Sequence, residues 1–391
     1  MALEGFVKRV RAAGRFGIDT EFVGEGRYRT LLCVVQVVVS DDEGLEVVVL
    51  DALDEGTNLT PLASLLAEPT IQVVVHAGRQ DVALLRRYID TEVAHILDTQ
   101  IAAGFAGLPA QAGYDTLLRE VLGVRVQKTA SYTRWDRRPL DAEQLAYARE
   151  DVLHLLELAV ELERRLDEHG RLGWALEECR YLEGVSDVRE VDTVFSRLPR
   201  INSLSPTARA IARELVGWRE EVAERQDRPV STVLNDAALV EIAKRAPRTP
   251  EQLEQVRGVN PGSLRRRGDD LLATVARGTA QPPIPVSSVR HEPSSPLDGP
   301  QIALAEALVR ARALQAGLAY ELIAARADLQ AIVSAVRSGR SEPDVRTLAG
   351  WRRELVGEEL LAMLRGERSI AVSATGQLAI NGRLASVATE A

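Results

Sequence analysis

Arg15-Phe16-Gly17-Ile18-Asp19-Thr20-Glu21-Phe22 sets two carboxylates into a mostly apolar run. It reads as a β-strand, and in a strand residues two apart share a face. Asp19 and Glu21 therefore point together, with Thr20 on the other side. An unpaired buried carboxylate is costly, so such a pair lies either at an exposed sheet edge or against something cationic. Outward from this strand, residues 30–39 read as a second strand and 45–51 as a third, with Gly24, Gly26 and Asp41-Asp42-Glu43-Gly44 as turn signals. Gaps this short make an antiparallel meander. Thr60-Pro61 opens a short helix, Ile71 to His76 forms a strand, residues 79–89 a helix, and Ala94 to Leu97 a short strand. Helices follow from Asp98, from Tyr114, and from Asp141 to about Glu168. Antiparallel strands followed by alternating helices and strands predict an α/β layer fold, a mixed sheet flanked by helices.

A chain of 391 residues implies two or three domains. At 46% hydrophobic but only 4% aromatic, its cores are built from Leu, Val, Ala and Ile. A net charge of −9 argues against coating nucleic acid through bulk charge, though not against gripping a few phosphates locally. The lysines are Lys8, Lys128 and Lys244 alone, against a large excess of arginine. Cys33 and Cys179 offer neither a metal-ligand spacing nor a disulfide framework. No apolar run is long enough to span a bilayer, and the expectation is a cytoplasmic monomer.

Beyond residue 170 the strand signal fades. Amphipathic helices fill 205–278, broken at Arg228-Pro229, Ala246-Pro247 and Gly258-Val259-Asn260-Pro261-Gly262. Residues 281–299 hold Gln281-Pro282-Pro283-Ile284-Pro285 and Pro293-Ser294-Ser295-Pro296, the composition of a linker. Helical periodicity returns from Gln301 to Arg365, and the last residues read as a small hairpin around Ala374-Thr375-Gly376 or a frayed tail. The boundaries expected are 1–195, 200–280, a linker at 281–299, and 300–391. Gly-Trp-Arg occurs at 217–219 and at 350–352, but at different points of the two helical blocks, so it is not a repeat in register.

Two further segments carry acids. His76-Ala77-Gly78-Arg79-Gln80-Asp81 places Asp81 at the start of a helix, where a helix N-terminus favours an anion. Tyr147 and Asp151 lie four apart and share a helix face. Each segment alone is unremarkable: a cap, a first-turn acid, a solvated surface pair. Together they supply four acids and a phenol. Four converging carboxylates cannot all stay ionised near neutral pH without cations, and paired divalent metals are a standard apparatus for phosphodiester cleavage.

The order Asp-x-Glu, then Asp after His-Ala-Gly, then Tyr-x-x-x-Asp resembles the Asp-Glu-Asp-Asp family of 3′→5′ exonucleases, in its tyrosine-bearing branch. The stretches Asp98-Thr99-Gln100-Ile101, Trp135 and Arg138-Pro139-Leu140 extend the resemblance to the ribonuclease D family. The resemblance implies a ribonuclease H-like α/β catalytic domain. It implies that Asp19, Glu21, Asp81 and Asp151 organise two Mg²⁺ or Mn²⁺ ions, one serving the attacking water and the other the departing 3′ oxygen. It implies that Tyr147 positions or deprotonates that water. Weaker expectations concern RNA contacts: Phe22 beside the terminal base, the Thr20 backbone at the terminal ribose, Lys128 and Arg134 on a polar loop near phosphates. His76 reads as a core or supporting histidine as readily as a substrate contact, and Asp98 as a helix cap.

Residues 205–278 resemble the helicase-and-RNase-D C-terminal (HRDC) domain, through Leu215, Trp218-Arg219-Glu220, Arg228-Pro229-Val230, Asn235-Asp236, Leu239, Thr249-Pro250, Leu253 and Gly258. Residues 301–370 resemble a second, more divergent helical domain of this all-α type. Residues 200–278 carry 14 Arg and Lys against 11 Asp and Glu, a net of +3 in an acidic chain, the direction RNA binding needs. Arg265-Arg266-Arg267 is the densest basic cluster, either a phosphate contact or a solvated helix end. The expectation is a metal-dependent 3′→5′ exoribonuclease that trims tRNA precursors or other structured RNA 3′ ends to nucleoside 5′-monophosphates. A DNA exonuclease and an inert RNA-binding scaffold are the competing readings.

Overall fold

The computed structural model describes residues 2–126, 134–259, 261–286, 295–374 and 378–381. Its N-terminal sheet contains β1 (Arg15–Val23), β2 (Leu31–Asp41), β3 (Gly44–Asp51), β4 (Gln72–Val75) and β5 (Ile96–Asp98), in the order β3-β2-β1-β4-β5. The first three strands form the expected antiparallel meander, with Asp19 opposite Gln36. β4 and β5 add in parallel, because helices intervene: α2 (Thr60–Leu66) before β4 and α3 (Arg79–Ile89) before β5. Helix α1 (Ala2–Ala13) precedes the sheet, and the sequence reading did not foresee it. Its apolar stripe is short, Phe6 and Val10 one turn apart, and both are fully buried.

The faces of β1 divide as alternation demands. Phe16 and Ile18 enter one core with α1, α2 and α3. Gly17 lies on the other face, where an added Cβ would sit 2.6 Å from Val38 and 3.1 Å from Leu155. A glycine there lets the covering helix approach the strand closely. That side also carries α4 (Thr99–Phe105), α5 (Tyr114–Leu117), α6 (Ala142–Leu153) and α7 (Leu155–Glu168). The single helix expected over 141–168 is in fact broken at His154, whose φ of −107° and ψ of 7° leave the helical region. The two pieces have different partners: α6 lies over β1, β2 and β3, while α7 packs against α4. One straight axis cannot serve both.

Helix α8 (Leu172–Glu183) packs on β5 and α4. Helix α9 (Val191–Ser196) packs instead on α10 (Pro206–Arg225), so Phe195 belongs to the next core although the sequence reading drew the boundary at residue 195. That core is closed by α11 (Val230–Val233), α12 (Asp236–Arg245), α13 (Pro250–Glu254) and α14 (Pro261–Ala280), around Leu215, Leu239, Leu253 and Leu271. The start of the expected linker folds back: the Ile284 N–H donates to the Pro206 carbonyl at 3.0 Å.

The last helical unit comprises α15 (Asp298–Ala316), α16 (Tyr320–Ile323), α17 (Arg326–Arg337), α18 (Gly350–Arg352) and α19 (Glu358–Leu364), with a π-helical turn before α19. Strands β6 (Ser369–Val372) and β7 (Leu378–Asn381) then pair antiparallel, as the hairpin reading expected. The two helical units dock differently. Leu329, Leu348 and Trp351 share one continuous core with Phe105 and Leu162 of the N-terminal domain. Trp351 meets Phe105 edge-on at 4.9 Å and stacks on Trp174 at 5.4 Å. The first unit keeps its own core and is joined to the N-terminal domain largely by polar contacts. Residues 27–29 in the β1–β2 loop supply them: Arg27 to Asp227 at 2.6 Å, the Tyr28 hydroxyl to Glu220 at 3.0 Å, and Arg29 to Glu224 at 2.5 Å. Glu220, Glu224 and Asp227 recur at helical spacing, so three successive residues of the loop meet one edge of α10 and its end.

Candidate active site

β1 and α6 build the site between them. Asp19 and Glu21 leave β1 on its α6 side, and Asp151 projects from α6 one turn beyond Tyr147. One carboxylate oxygen from each of Asp19, Glu21 and Asp151 lies within 4.8 Å of the others. Asp81, in the first turn of α3, is on the other side of β1. Its carboxylate accepts a hydrogen bond from the Thr20 hydroxyl, so Thr20, pointing away from its neighbours, ties the fourth acid to the strand that carries the first two.

Several side chains fix this arrangement. Asp141 and Gln144 close a capping box at the start of α6, with bonds of 2.7 and 3.1 Å. Arg138 pairs with Asp51 and donates to the carbonyls of Cys33 and Trp135. Trp135 is buried with Cys33, Val34 and Ala148, its ring 6.1 Å from that of Tyr147. These contacts hold the lead-in to α6 against β2 and β3, and so hold Tyr147 in place. On the far side Asp98 caps α4, as expected, through Gln100 N–H at 2.8 Å. It also accepts from the N–H groups of Ala77 and Gly78 at 3.0 and 2.9 Å, which fixes the turn leading to Asp81.

Burial and neighbouring carboxylates push all four acids toward their neutral forms. Burial is the largest cause for each. Asp19 stands well above the usual carboxylate range, with the charges of Asp81, Asp151 and Glu21 adding to the shift. Glu21 is pushed up to about 8, with Asp151 and Asp81 as further causes. Asp151 rises to about 7, with Glu150 contributing. Asp81 rises to about 6, moderated by the Thr20 hydrogen bond. The Tyr147 phenol, hydrogen-bonded to Asp151, is also raised by burial and by the surrounding acids. A site that resists its own ionisation to this extent binds protons or cations readily.

The other expected residues are placed as follows. Phe22 follows a bulge in the β1–β2 ladder and is half-buried. His76 Nδ1 lies 3.0 Å from Thr99 Oγ1, and its ring contacts Tyr114 at 5.4 Å. Its desolvation holds the imidazole below its ordinary pKa, which fits the supporting reading. Arg134 is exposed and paired with Asp136 at 3.0 Å. Lys128 lies outside the described residues. Arg265, Arg266 and Arg267 lie on α14, against α10 rather than against the acids.

Two residues near the acids escaped the sequence reading. Gln36 is fully buried and donates to Asp19 at 3.2 Å. Its signal was available: it is the polar interruption in the apolar run Leu31–Val39. Tyr114 places its ring on His76, and its buried oxygen feels the charges of Asp151 and Asp19. Nothing in the local pattern around Tyr114 distinguishes it from a packing aromatic.

The 3′-5′ exonuclease family matches residues 1–167, the stretch that supplies every one of these acids, and the HRDC domain family matches residues 208–275. Ribonuclease D of Gluconacetobacter diazotrophicus is 34% identical over 376 residues, covering 95% of this chain and 93% of its own. The chain belongs to the ribonuclease D family. Ribonuclease D of Granulibacter bethesdensis is 35% identical over 360 residues, with 91% of this chain and 88% of that one covered. The crystal structure of Escherichia coli RNase D, described as an exoribonuclease involved in structured RNA processing, matches with a TM-score of 0.78 at 27% identity, over 93% of this chain and 96% of that one. The enzyme is a 3′→5′ exoribonuclease with the α/β-plus-helical architecture of that family. No helix among its described residues is long and apolar enough to cross a membrane.

Proposed function

We propose that this exoribonuclease is metal-dependent, that Asp19, Glu21, Asp81 and Asp151 hold two Mg²⁺ or Mn²⁺ ions, and that its substrates are the 3′ ends of tRNA precursors or other structured RNA. The convergence of Asp19, Glu21 and Asp151 oxygens within 4.8 Å carries the reading. The donor set fits the ions: it is all hard oxygen, which suits Mg²⁺ or Mn²⁺ better than zinc. Asp81 would join with the oxygen that Thr20 does not hold. When bound, the cations neutralise the acids, acidify the attacking water and stabilise the departing 3′ oxygen.

The remaining roles belong to the protein's side chains. Tyr147 stays protonated near neutral pH, because burial and three acids hold its pKa above the ordinary value. Bound cations would offset the acids' share of this shift but not the burial, so Tyr147 would serve to orient the water by hydrogen bonding. Gln36 fixes one oxygen of Asp19, and Thr20 fixes one oxygen of Asp81, so neither acid needs to reorganise as charge develops. Phe22, beyond the bulge that follows Glu21, would pack against the terminal base. The helical unit of net charge +3 supports a substrate longer than the few nucleotides the acids can reach.

A time course with RNA labelled at either end tests the direction and product. A 5′ label should pass through progressively shorter fragments, and a 3′ label should appear at once as nucleoside 5′-monophosphate. Internal fragments from the 3′-labelled RNA would overturn the reading.

A further inference from the structure

A cleft of about 860 Å³ opens between the C-terminal end of α10 and the second turn of α14. Four arginines line it: Arg225 and Arg228 from one side, Arg266 and Arg267 from the other. Val222, Gln226 and Asp270 complete the wall. Elsewhere in this acidic protein arginines commonly find carboxylates, as Arg27, Arg189, Arg213 and Arg219 do nearby. Among the described residues none of the four cleft arginines forms an ion pair. Arg267 donates instead to the neutral Gln226 at 2.6 Å. Its guanidinium is held below its ordinary pKa by burial and by the charges of Arg266 and Arg228. Four cations share a cleft with one carboxylate, Asp270, which pairs with none of them, so the cleft carries excess positive charge that an anion would relieve.

The cleft borders the contact between the domains. Asp227 lies between Gln226 and Arg228 in sequence. It accepts from the Arg27 side chain at 2.6 Å and the Tyr28 N–H at 3.2 Å. Those residues sit in the loop that leaves β1 just after Glu21 and Phe22. The chain from Glu21 to Tyr28 spans at most about 25 Å. At about 3.4 Å per nucleotide of helical strand that is about seven nucleotides, and fewer for a stretched strand.

We infer that the cleft formed by Arg225, Arg228, Arg266 and Arg267 clasps an RNA backbone phosphate a few nucleotides 5′ of the bond being cut. Guanidinium groups suit this ligand because each presents paired N–H donors to two phosphate oxygens. The inference rests on the proposed RNA substrate and assigns its path: 3′ end at the acids, strand along the β1–β2 loop, upstream phosphate between α10 and α14. Arg265 lies outside the cleft lining, so the assignment separates it from its two neighbours.

The test is a binding series with the full-length protein and single-stranded RNAs of 4, 8, 12 and 16 nucleotides, in chelator so that no RNA is consumed. The wild type should gain at least about tenfold in affinity once the strand is long enough to reach the cleft. Arg228→Ala with Arg266→Ala should lose most of that gain, on the scale of charge-assisted hydrogen bonds. The slope of log affinity against log salt should flatten by about 0.7 for each phosphate that the variant no longer neutralises. An unchanged length dependence and salt slope would overturn the inference. If the alanine protein melts early, Arg228→Lys with Arg266→Lys keeps both charges and must retain the wild-type slope. Loss of the slope there overturns the inference equally. Hydrolysis of end-labelled RNA by the wild type with Mg²⁺ reports on the exonuclease reading separately, so failure of one is distinguishable from failure of the other.

Discussion

Thr20 and Gln36 set the acids of this site, one by holding Asp81 and the other by holding Asp19. Asp19→Asn and Asp151→Asn should each abolish turnover in a direct hydrolysis assay, with little change in RNA affinity. Tyr147→Phe should lower kcat by about 10²–10³, the scale of removing one positioned hydrogen-bond donor, while leaving Mn²⁺ affinity in place. Near-normal kcat would reduce the phenol to packing. The acids also make stability pH-dependent. Their folded pKa values lie above the unfolded ones, so the folded state binds protons more tightly. That stabilisation is complete below about pH 4, the ordinary carboxylate value, and is lost as pH rises through about 6 to 8. The metal-free protein should therefore melt at a higher temperature at pH 5.5 than at pH 8, and saturating Mg²⁺ should remove most of the difference. Equal melting temperatures without metal would contradict the electrostatic account. The sequence revealed Asp19 and Glu21 through alternation alone, and Tyr147 with Asp151 through helical spacing. That the strand pair and the helix pair would meet came from the resemblance, because no local pattern reports which elements pack together; Asp81, tied to Thr20, lies outside the cluster of three.

At the scale of elements, the meander and the strand–helix alternation were legible because period and turn residues agree there. Two features were not. Helix α1 shows only Phe6 and Val10 as a buried face among charged residues. The break at His154 lacks glycine or proline, since it comes from two packing surfaces with different directions rather than from a local breaker. The contact of residues 27–29 with α10 was equally hidden, because its partners lie about 190 or more positions apart. Glu220 is its centre: it is 5% exposed and accepts from Tyr28 at 3.0 Å and Arg189 at 2.7 Å, with the buried Arg219 beside it. Glu220→Ala would take the acceptor from the Tyr28 hydroxyl and from Arg189, while Arg219 keeps Asp236 at 2.6 Å, and should lower stability by about 1–3 kcal/mol, the scale of hydrogen bonds to a charged group. Urea unfolding measures this, and a loss under about 0.5 kcal/mol would show the contact to be a surface ion pair in its energetics.

For the whole molecule, the two modes of docking predict two responses to damage. The last helical unit shares its core with α4 and α7, so it belongs to the catalytic fold in a way its sequence, read as a separate domain, did not disclose. Trp351→Ala removes a side chain only 1% exposed, packed between Phe105 and Trp174. It should cost about 3–5 kcal/mol and lower exonuclease activity through loss of folded protein. The HRDC unit, with its own core, should tolerate change in its cleft without unfolding the catalytic domain. Over both stands the claim that the acids exist to hold cations. Hydrolysis of a 5′-labelled RNA in excess EDTA, followed by addition of Mg²⁺ or Mn²⁺ beyond the chelator, tests it most directly. Shortening from the 3′ end should stop in EDTA and resume on adding the metal, and shortening that continues unabated in EDTA would contradict the account.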